Sequence, residues 1–278
     1  MYNNYFQHKI VLVTGGGSGI GRGLCLQLAA EGATVFCTDI DLTKATETAS
    51  MAVNDKVIDQ KLDVTIETEF ESIIAEIVNQ YGQLDLIFNN AGIAVSGEIR
   101  DIAIAQWKKI IDINLYGVLN GSQIAYRQML KQGSGQIVNI ASAAGLIDHL
   151  GLMAPYSVTK HAVVNYTKIL RLEAKKLGVK ANVVCPGFIR TSIGTNAINP
   201  NANKQWNNYA IEQVAKGISV ENAIDKILKG VASNREVIIF PYQVKIIYHF
   251  TQLFKGLYKI AMQKIVKDYR EKYRLPDR

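Results

Sequence analysis

Thr14-Gly15-Gly16-Gly17-Ser18-Gly19-Ile20-Gly21, eight residues near the start of a 278-residue chain, is the stretch whose reading decides the fold. It follows a short run of β-branched and aliphatic residues at 10–13 and opens a helical pattern, so its glycines stand where a strand turns into a helix. A helix N-terminus carries free backbone N–H groups and the positive end of the helix dipole. Glycine at 15, 19 and 21 removes the side chains that would hold an anion off that main chain, so the turn is expected to receive a pyrophosphate. Glycine runs also serve turn geometry alone, and the pattern around the turn carries the reading further.

Outward from the turn, β-branched runs alternate with longer amphipathic stretches. Strands are expected at 10–13, 34–38, 56–62, 84–88, 136–140, 180–184 and 237–240, with helices between them. Such alternation predicts α/β architecture, a doubly wound seven-stranded parallel sheet in a single domain spanning 1–240. Ligands of such sheets bind beyond the carboxyl ends of the strands, where the winding reverses. The residues just after the strands are small, polar or backbone-distorting: the glycine turn, Asp39, Asp63-Val64, 89–92, Ser142 and 186–191.

Composition narrows the class. Nearly half the residues are hydrophobic and a fifth charged, as in ordinary globular domains. Cys25, Cys37 and Cys185 are far apart in apolar surroundings and read as buried thiols rather than metal ligands, so no metal is expected. The opening MYNNYFQHKI lacks the apolar core of a secretory signal, and no run is long and apolar enough to span a bilayer, which predicts a cytoplasmic protein. The net charge of +7 is concentrated at one end. From Pro241 onward there are nine Lys/Arg and three Asp/Glu, leaving 22 against 21 in residues 1–240, so the body is nearly neutral and no nucleic-acid partner is expected.

Tyr156 and Lys160 are spaced to project from one helix face a turn apart. A free phenol is a poor base near neutrality, and an adjacent ammonium stabilises its phenolate. With the T-G-x-x-x-G-x-G spacing of residues 14–21 and with Ser142 fourteen positions before Tyr156, the chain resembles the short-chain dehydrogenases over residues 8 to about 240. The resemblance implies a Rossmann-type fold and an oxidoreductase that moves a hydride between NAD(H) and the carbinol or carbonyl carbon of an alcohol or ketone. It makes Asn114, Ser142, Tyr156 and Lys160 the catalytic set. Tyr156 would be the acid/base and Ser142 the holder of the substrate oxygen. Lys160 would supply positive charge and hold the nicotinamide ribose, and Asn114 would sit in a distorted helical turn that starts a proton relay through water.

The same resemblance places the cofactor. Gly15, Gly17, Ser18, Gly19, Ile20 and Gly21 would meet the phosphates, Asp63 and Val64 the adenine, and Asn90, Ala91 and Gly92 the ribose. Thr14 would tie two of these loops together. Pro186, Gly187, Ile189 and Thr191 would meet the nicotinamide, to which Tyr156 and Lys160 also contribute. Asp39, eighteen residues beyond Gly21, suits both adenosine ribose hydroxyls and repels a 2′-phosphate. Family members that use NADP carry a basic residue where this chain has Ser18 or Ile40, so NAD is favoured over NADP. The family's dimers and tetramers imply a homo-oligomer.

Two regions resist this reading. Residues 192–217, where the family builds its substrate lid, are rich in asparagine with Trp206 and Tyr209 as their aromatics, and they leave the substrate unnamed beyond a small, apolar alcohol or ketone. Asp148 and His149 stand between Ser142 and Tyr156 as pocket-lining candidates, with a bystander loop histidine the favoured reading. No G-x-S-x-G elbow surrounds Ser142, which disfavours a hydrolase. Residues 241–278 extend past the usual end of the family. They read as a basic amphipathic helix with Ile246, Phe250, Leu253, Leu257, Ala261 and Ile265 near helical spacing, packed on the domain or a partner subunit in preference to a membrane surface. The competing functions are a non-catalytic dinucleotide-binding regulator and a membrane-associated scaffold on the same fold.

Overall fold

The computed structural model describes residues 2, 4–147, 151–194 and 196–275. Seven strands, β1 (Ile10–Thr14), β2 (Thr34–Asp39), β3 (Val57–Lys61), β4 (Leu86–Asn89), β5 (Gly135–Ile140), β6 (Val179–Pro186) and β7 (Val237–Phe240), form one sheet. The spatial order is β3-β2-β1-β4-β5-β6-β7 and every pairing is parallel. The expected strands are all present, their ends moved by a residue or two.

Parallel strands need crossovers, and the helices supply them on both faces. They are α1 (Gly19–Ala30), α2 (Leu42–Ser50), α3 (Glu67–Tyr81), α4 (Ile104–Ile111), α5 (Gly117–Gln132), α6 (Ala154–Glu173), α7 (Lys204–Ala215) and α8 (Val220–Ala232). The period of two in β1 divides its side chains between two cores. Val11 and Val13 join Leu24 and Leu28 of α1 and Ile224 and Ile227 of α8. Ile10 and Leu12 join Phe70 and Ile74 of α3, Ile124 of α5 and Leu170 of α6. Burial on both faces is why the central strands are continuously apolar rather than alternating.

The tail departs from expectation. In place of one helix there are two, α9 (Tyr242–Leu253) and α10 (Lys255–Lys272), because Phe254 leaves helical geometry at φ −119°, ψ 48° and Gly256, a poor helix former, sits in the first turn of α10. The faces are also exchanged. Ile246, Phe250, Leu253, Leu257, Ala261 and Ile265 are exposed, whereas Val244, Tyr248 and Thr251 of α9, and Tyr258, Met262, Val266 and Tyr269 of α10, turn inward. Both sides of α10 are apolar enough to be buried, and the aromatic side has partners in the domain. No described helix is long and apolar enough to cross a membrane.

Candidate functional site

The connections wind one way from β1 toward β3 and the other way from β4 toward β7, so a crevice opens where β1 and β4 part. Side-chain hydrogen bonds hold its two lips together. Thr14 Oγ1 accepts from the backbone N–H groups of Asn90 and Ala91 at 3.0 Å each, and Asn90 Nδ2 donates to the carbonyls of Thr14 (2.9 Å) and Gly15 (3.2 Å). The tie expected of Thr14 is therefore present.

A cavity of about 470 Å³ lies over this junction, within the range of small-molecule and cofactor sites. Gly15, Ser18, Gly19 and Ile20 line it from the turn, Asp39 and Ile40 from the end of β2, and Asp63 and Val64 from beyond β3. Asn90, Ala91, Gly92 and Thr191 complete the expected lining, and Lys109, Ile113, Ile193 and Asn196 join them unannounced. Lys109 and Ile113 are one helical turn apart, a spacing visible in the sequence but indistinguishable there from an ordinary solvated face.

The residues present fit a dinucleotide. Gly15 and Gly19 adopt left-handed φ values of 63° and 52°, and a Cβ on Gly15 would lie 2.9 Å from the Cα of Ala91. Ser18 contributes no side-chain cap to α1, so its hydroxyl leaves the first-turn N–H groups at the cavity edge unclaimed. The Asp39 carboxylate accepts from the backbone N–H groups of Gly17 (3.0 Å) and Asp41 (3.1 Å), which fixes it at the cavity wall, while the cap of α2 is Asp41.

Several residues expected at the cofactor do not line this cavity, and their side-chain positions are taken by protein. Gly21 lies beneath the turn, where a Cβ would come within 2.0 Å of the Gly15 carbonyl, so its job is to let α1 press against the end of β1. Gly17 is wedged between Lys44 and Asp39. Pro186 ends β6, pairing with Phe240, and a Cβ on Gly187 would meet Val244 of α9. Ile189 is buried and bridges Ile218. Of that loop's expected set only Thr191 reaches the cavity, its methyl lying over Gly19. Asp148 and His149 lie outside the described residues.

Beside the cavity, Ser142, just beyond β5, lies close enough to Tyr156 in the first turn of α6 to lower the proton affinity of its phenol. Ser142 Oγ also accepts from the Ala144 N–H at 3.2 Å. Lys160, one turn along α6, is buried with Nζ 5.7 Å from the Tyr156 ring centroid and donates to the Ile140 carbonyl at 2.9 Å. A single π-helical turn, Asp112–Tyr116, separates α4 from α5 and carries Asn114, whose amide holds both the N–H (2.8 Å) and the carbonyl (2.9 Å) of Ile93. Asn114 and Lys160 meet at Gly92, whose Cβ, if present, would lie 3.2 Å from Asn114 Oδ1 and 3.6 Å from Lys160 Nζ.

Burial dominates the electrostatics. It lowers Lys160 from 10.5 to about 8. It raises the Tyr156 phenol against the opposing influence of nearby Ser142, the reverse of the lowering expected from the neighbouring lysine. Cys185, close enough to influence both groups, is itself pushed up to about 12 by burial and stays neutral.

A profile of short chain dehydrogenases matches residues 9–202. The chain belongs to the short-chain dehydrogenase family. It is similar to levodione reductase of Leifsonia aquatica, 34% identical over 199 residues covering 69% of this chain and 74% of that protein. It is also similar to cyclohexanol dehydrogenase of an Acinetobacter species, 35% identical over 196 residues covering 69% and 77%. Among solved structures, levodione reductase superposes with a TM-score of 0.74 at 27% identity, covering 84% of this chain and 96% of that one. A Burkholderia phymatum short-chain dehydrogenase/reductase in complex with NAD superposes at 0.82 with 24% identity over 91% and 96%, a likeness of fold. This dehydrogenase is thus a nicotinamide-dependent oxidoreductase with a Rossmann-type sheet.

Opposite the cofactor loops, Tyr156 packs against an apolar cluster that includes Val95, Ile102, Trp107, Ile110 and Ile198. Ile198 belongs to the lid region, and its stretch pairs with the loop after β4: the N–H of Ser96 donates to Ile198 (3.0 Å), and that of Ile198 to Ala94 (3.0 Å). The far side of the same stretch is strapped by the end of the dehydrogenase's own chain. The N–H of Asn203 donates to Tyr273 (2.9 Å), that of Leu275 to Asn201 (3.1 Å), and Trp206 sits among Tyr209, Tyr269 and Tyr273. Trp206 therefore faces the tail.

Arginines fasten the strap. Arg274, almost wholly buried, reaches Glu98 at 3.2 Å and Asp101 at 3.1 Å, and Arg270 reaches Glu98 at 2.5 Å. Burial alone would push the Glu98 carboxyl up, but hydrogen bonds and charge from Arg100 and Arg270 outweigh it and hold the carboxyl below its ordinary value. A hydrogen bond from Arg274 lowers Asp101 against the opposing effect of burial. Nothing in the sequence announces pairs separated by more than 170 positions.

Two expectations follow from this geometry. A buried lysine that loses its proton at about pH 8 when folded and at 10.5 when unfolded weakens the fold below pH 8, and the unfolded chain holds the extra proton between those values. The stability of the wild type relative to Lys160→Met, measured by urea unfolding, should therefore rise by up to about 3 kcal/mol between pH 8 and 10.5; a flat difference would contradict the burial argument. Arg274→Ala should raise KM for the alcohol or ketone about fivefold while the Kd of the reduced nicotinamide cofactor changes less than about twofold. Equal effects on both constants would separate the strap from the substrate wall.

Proposed function

We propose that the chain interconverts an apolar secondary alcohol and its ketone using NAD(H), with Tyr156 as the acid/base. The observation that carries this reading is the convergence of Ser142, Tyr156, Lys160 and Asn114 at the edge of a dinucleotide-sized cavity. A nicotinamide held there supplies hydride chemistry at its ring carbon C4. In the oxidation direction Tyr156 takes the hydroxyl proton at its phenolic oxygen, and Ser142 holds the substrate oxygen by hydrogen bonding. Lys160 positions positive charge where burial otherwise disfavours the phenolate. Asn114 keeps the backbone of Ile93 fixed beside Lys160, so the floor of the site does not shift as the proton moves. Reduction runs the same steps backward.

NAD is favoured over NADP by Asp39, a carboxylate at the cavity wall whose neighbour Ile40 offers no positive charge to a 2′-phosphate. The apolar substrate class rests on the cluster around Tyr156, which offers few hydrogen-bonding groups and would suit an alicyclic body. A relative named for cyclohexanol points the same way. Val158, Ile169 and Leu172 leave an exposed apolar stripe on one face of α6, which supports assembly with a second copy.

With NADH and a panel of alicyclic ketones, Tyr156→Phe should lower kcat by about 10²–10⁴-fold and leave NADH binding intact; turnover undiminished by the substitution would remove Tyr156 from the mechanism. Asp39→Ala should weaken NAD binding about tenfold or more and narrow the preference over NADP. An unchanged ratio of the two cofactor affinities would count against the ribose contact.

A further inference from the structure

The inner stripe of α10 and the strap beyond it are taken up by the domain, so the helix cannot roll to hide its other side. What remains outside is an apolar surface around the elbow between α9 and α10. Leu253, Leu257 and Ile260 are 77%, 61% and 63% exposed, with Ile246, Phe250 and Phe254 beside them. A soluble monomer seldom leaves so many large aliphatic and aromatic side chains together in water. On α9 the spacing of Ile246, Phe250 and Leu253 puts them on one stripe, and on α10 Leu257, Ile260 and Lys264 share the face opposite Tyr258, Met262 and Val266.

Charge selects among the occupants of this face. From 241 to 267 the chain carries Lys245, Lys255, Lys259, Lys264 and Lys267 and no Asp or Glu, while residues 1–240 are nearly neutral. A second copy related by a twofold axis would set this face against itself and bring like charges together. A flat anionic surface satisfies both the aliphatic side chains and the lysines around them, which can extend their amines to headgroups while their stems cover apolar surface. Neither helix can cross a bilayer, which leaves the interface plane as the place where they fit.

We propose that the outer face of the α9–α10 elbow docks this dehydrogenase on an anionic lipid bilayer, as a peripheral contact made by Leu253, Phe254, Leu257 and Ile260 and flanked by Lys255, Lys259 and Lys264. The contact is separate from the cavity and does not depend on turnover, so it stands or falls independently of the proposed reaction.

Co-sedimentation of the full chain with vesicles tests it. The wild type should pellet with vesicles of phosphatidylcholine containing phosphatidylglycerol at low salt, be largely released at high salt, and stay in solution with phosphatidylcholine alone. The double variant Leu253→Glu with Leu257→Glu should reduce partitioning by about tenfold or more, and Lys255→Gln with Lys259→Gln should weaken it and flatten its salt dependence. NADH binding, measured by fluorescence, should match the wild type in both variants and shows that the domain remains folded. Absence of binding to phosphatidylglycerol vesicles, equal binding to neutral vesicles, or wild-type partitioning of the folded variants would overturn the proposal. So would a dimer, seen by light scattering without lipid, that the leucine variant splits into monomers, since a second copy would then cover the face.

Discussion

The site depends on the close approach of β1 to β4 beyond their last paired residues. Where the winding reverses, no crossover helix covers the sheet's end, and the two strands would diverge without a local bond. Thr14 bridges them with one hydroxyl that accepts two backbone N–H groups, and Asn90 returns two hydrogen bonds to the β1 side. Gly21 completes the junction from below: with hydrogen in place of a methyl, α1 can seat its first turn against the Gly15 carbonyl. The glycine turn thus does two different jobs. Gly15 and Gly19 leave room above it for a ligand, and Gly21 leaves room beneath it for the helix.

The side of the crevice that holds Asn114, Tyr156 and Lys160 inherits its geometry from the same junction. Asn114, lifted by the π-helical turn, clamps Ile93, three residues beyond Asn90, so the loop tied to Thr14 at one end is held at the other. Lys160 comes in from α6 to donate to Ile140 at the end of β5. Its depth is costly to an ammonium, and the lowered proton affinity is the measure of that cost. Burial thus shifts both members of the pair toward their neutral forms, lowering the lysine and raising the phenol.

The fold was legible because the informative residues are local. Seven apolar runs, each closed by a small or polar residue, determine the strand count, and the turn at 14–21 marks the edge where the ligand sits. Spacing also placed Tyr156 and Lys160 together, since one turn of helix separates them. What local pattern could not supply was direction. A glycine needed for ligand access and one needed for packing look alike in sequence: Gly15 and Gly19 border the cavity, whereas a side chain on Gly21, Gly17 or Gly187 would strike protein. A lysine beside a tyrosine suggested a lowered phenol, but desolvation depends on the surrounding tertiary structure and outweighs it. In the tail, helical periodicity picked out one apolar stripe but could not rank it against the aromatic side of the same segment.

That ranking comes from contacts across the whole chain. Tyr269 and Tyr273 turn inward because Trp206, more than sixty residues earlier, offers aromatic faces for them, and the arginines follow because Glu98 and Asp101 provide carboxylates within a shielded loop. Arg100 offsets only part of the desolvation cost of Glu98, and the pairs from Arg270 and Arg274 supply the rest, so they hold the end of the chain's last helix more firmly than its apolar contacts alone would. Because the strapped stretch also carries Ile198 into the cluster against Tyr156, the C-terminal residues support that cluster as well as the helix that bears them. The extension thus carries an outward apolar face around the α9–α10 break and, at the other end of α10, the residues that strap the loop beside Tyr156.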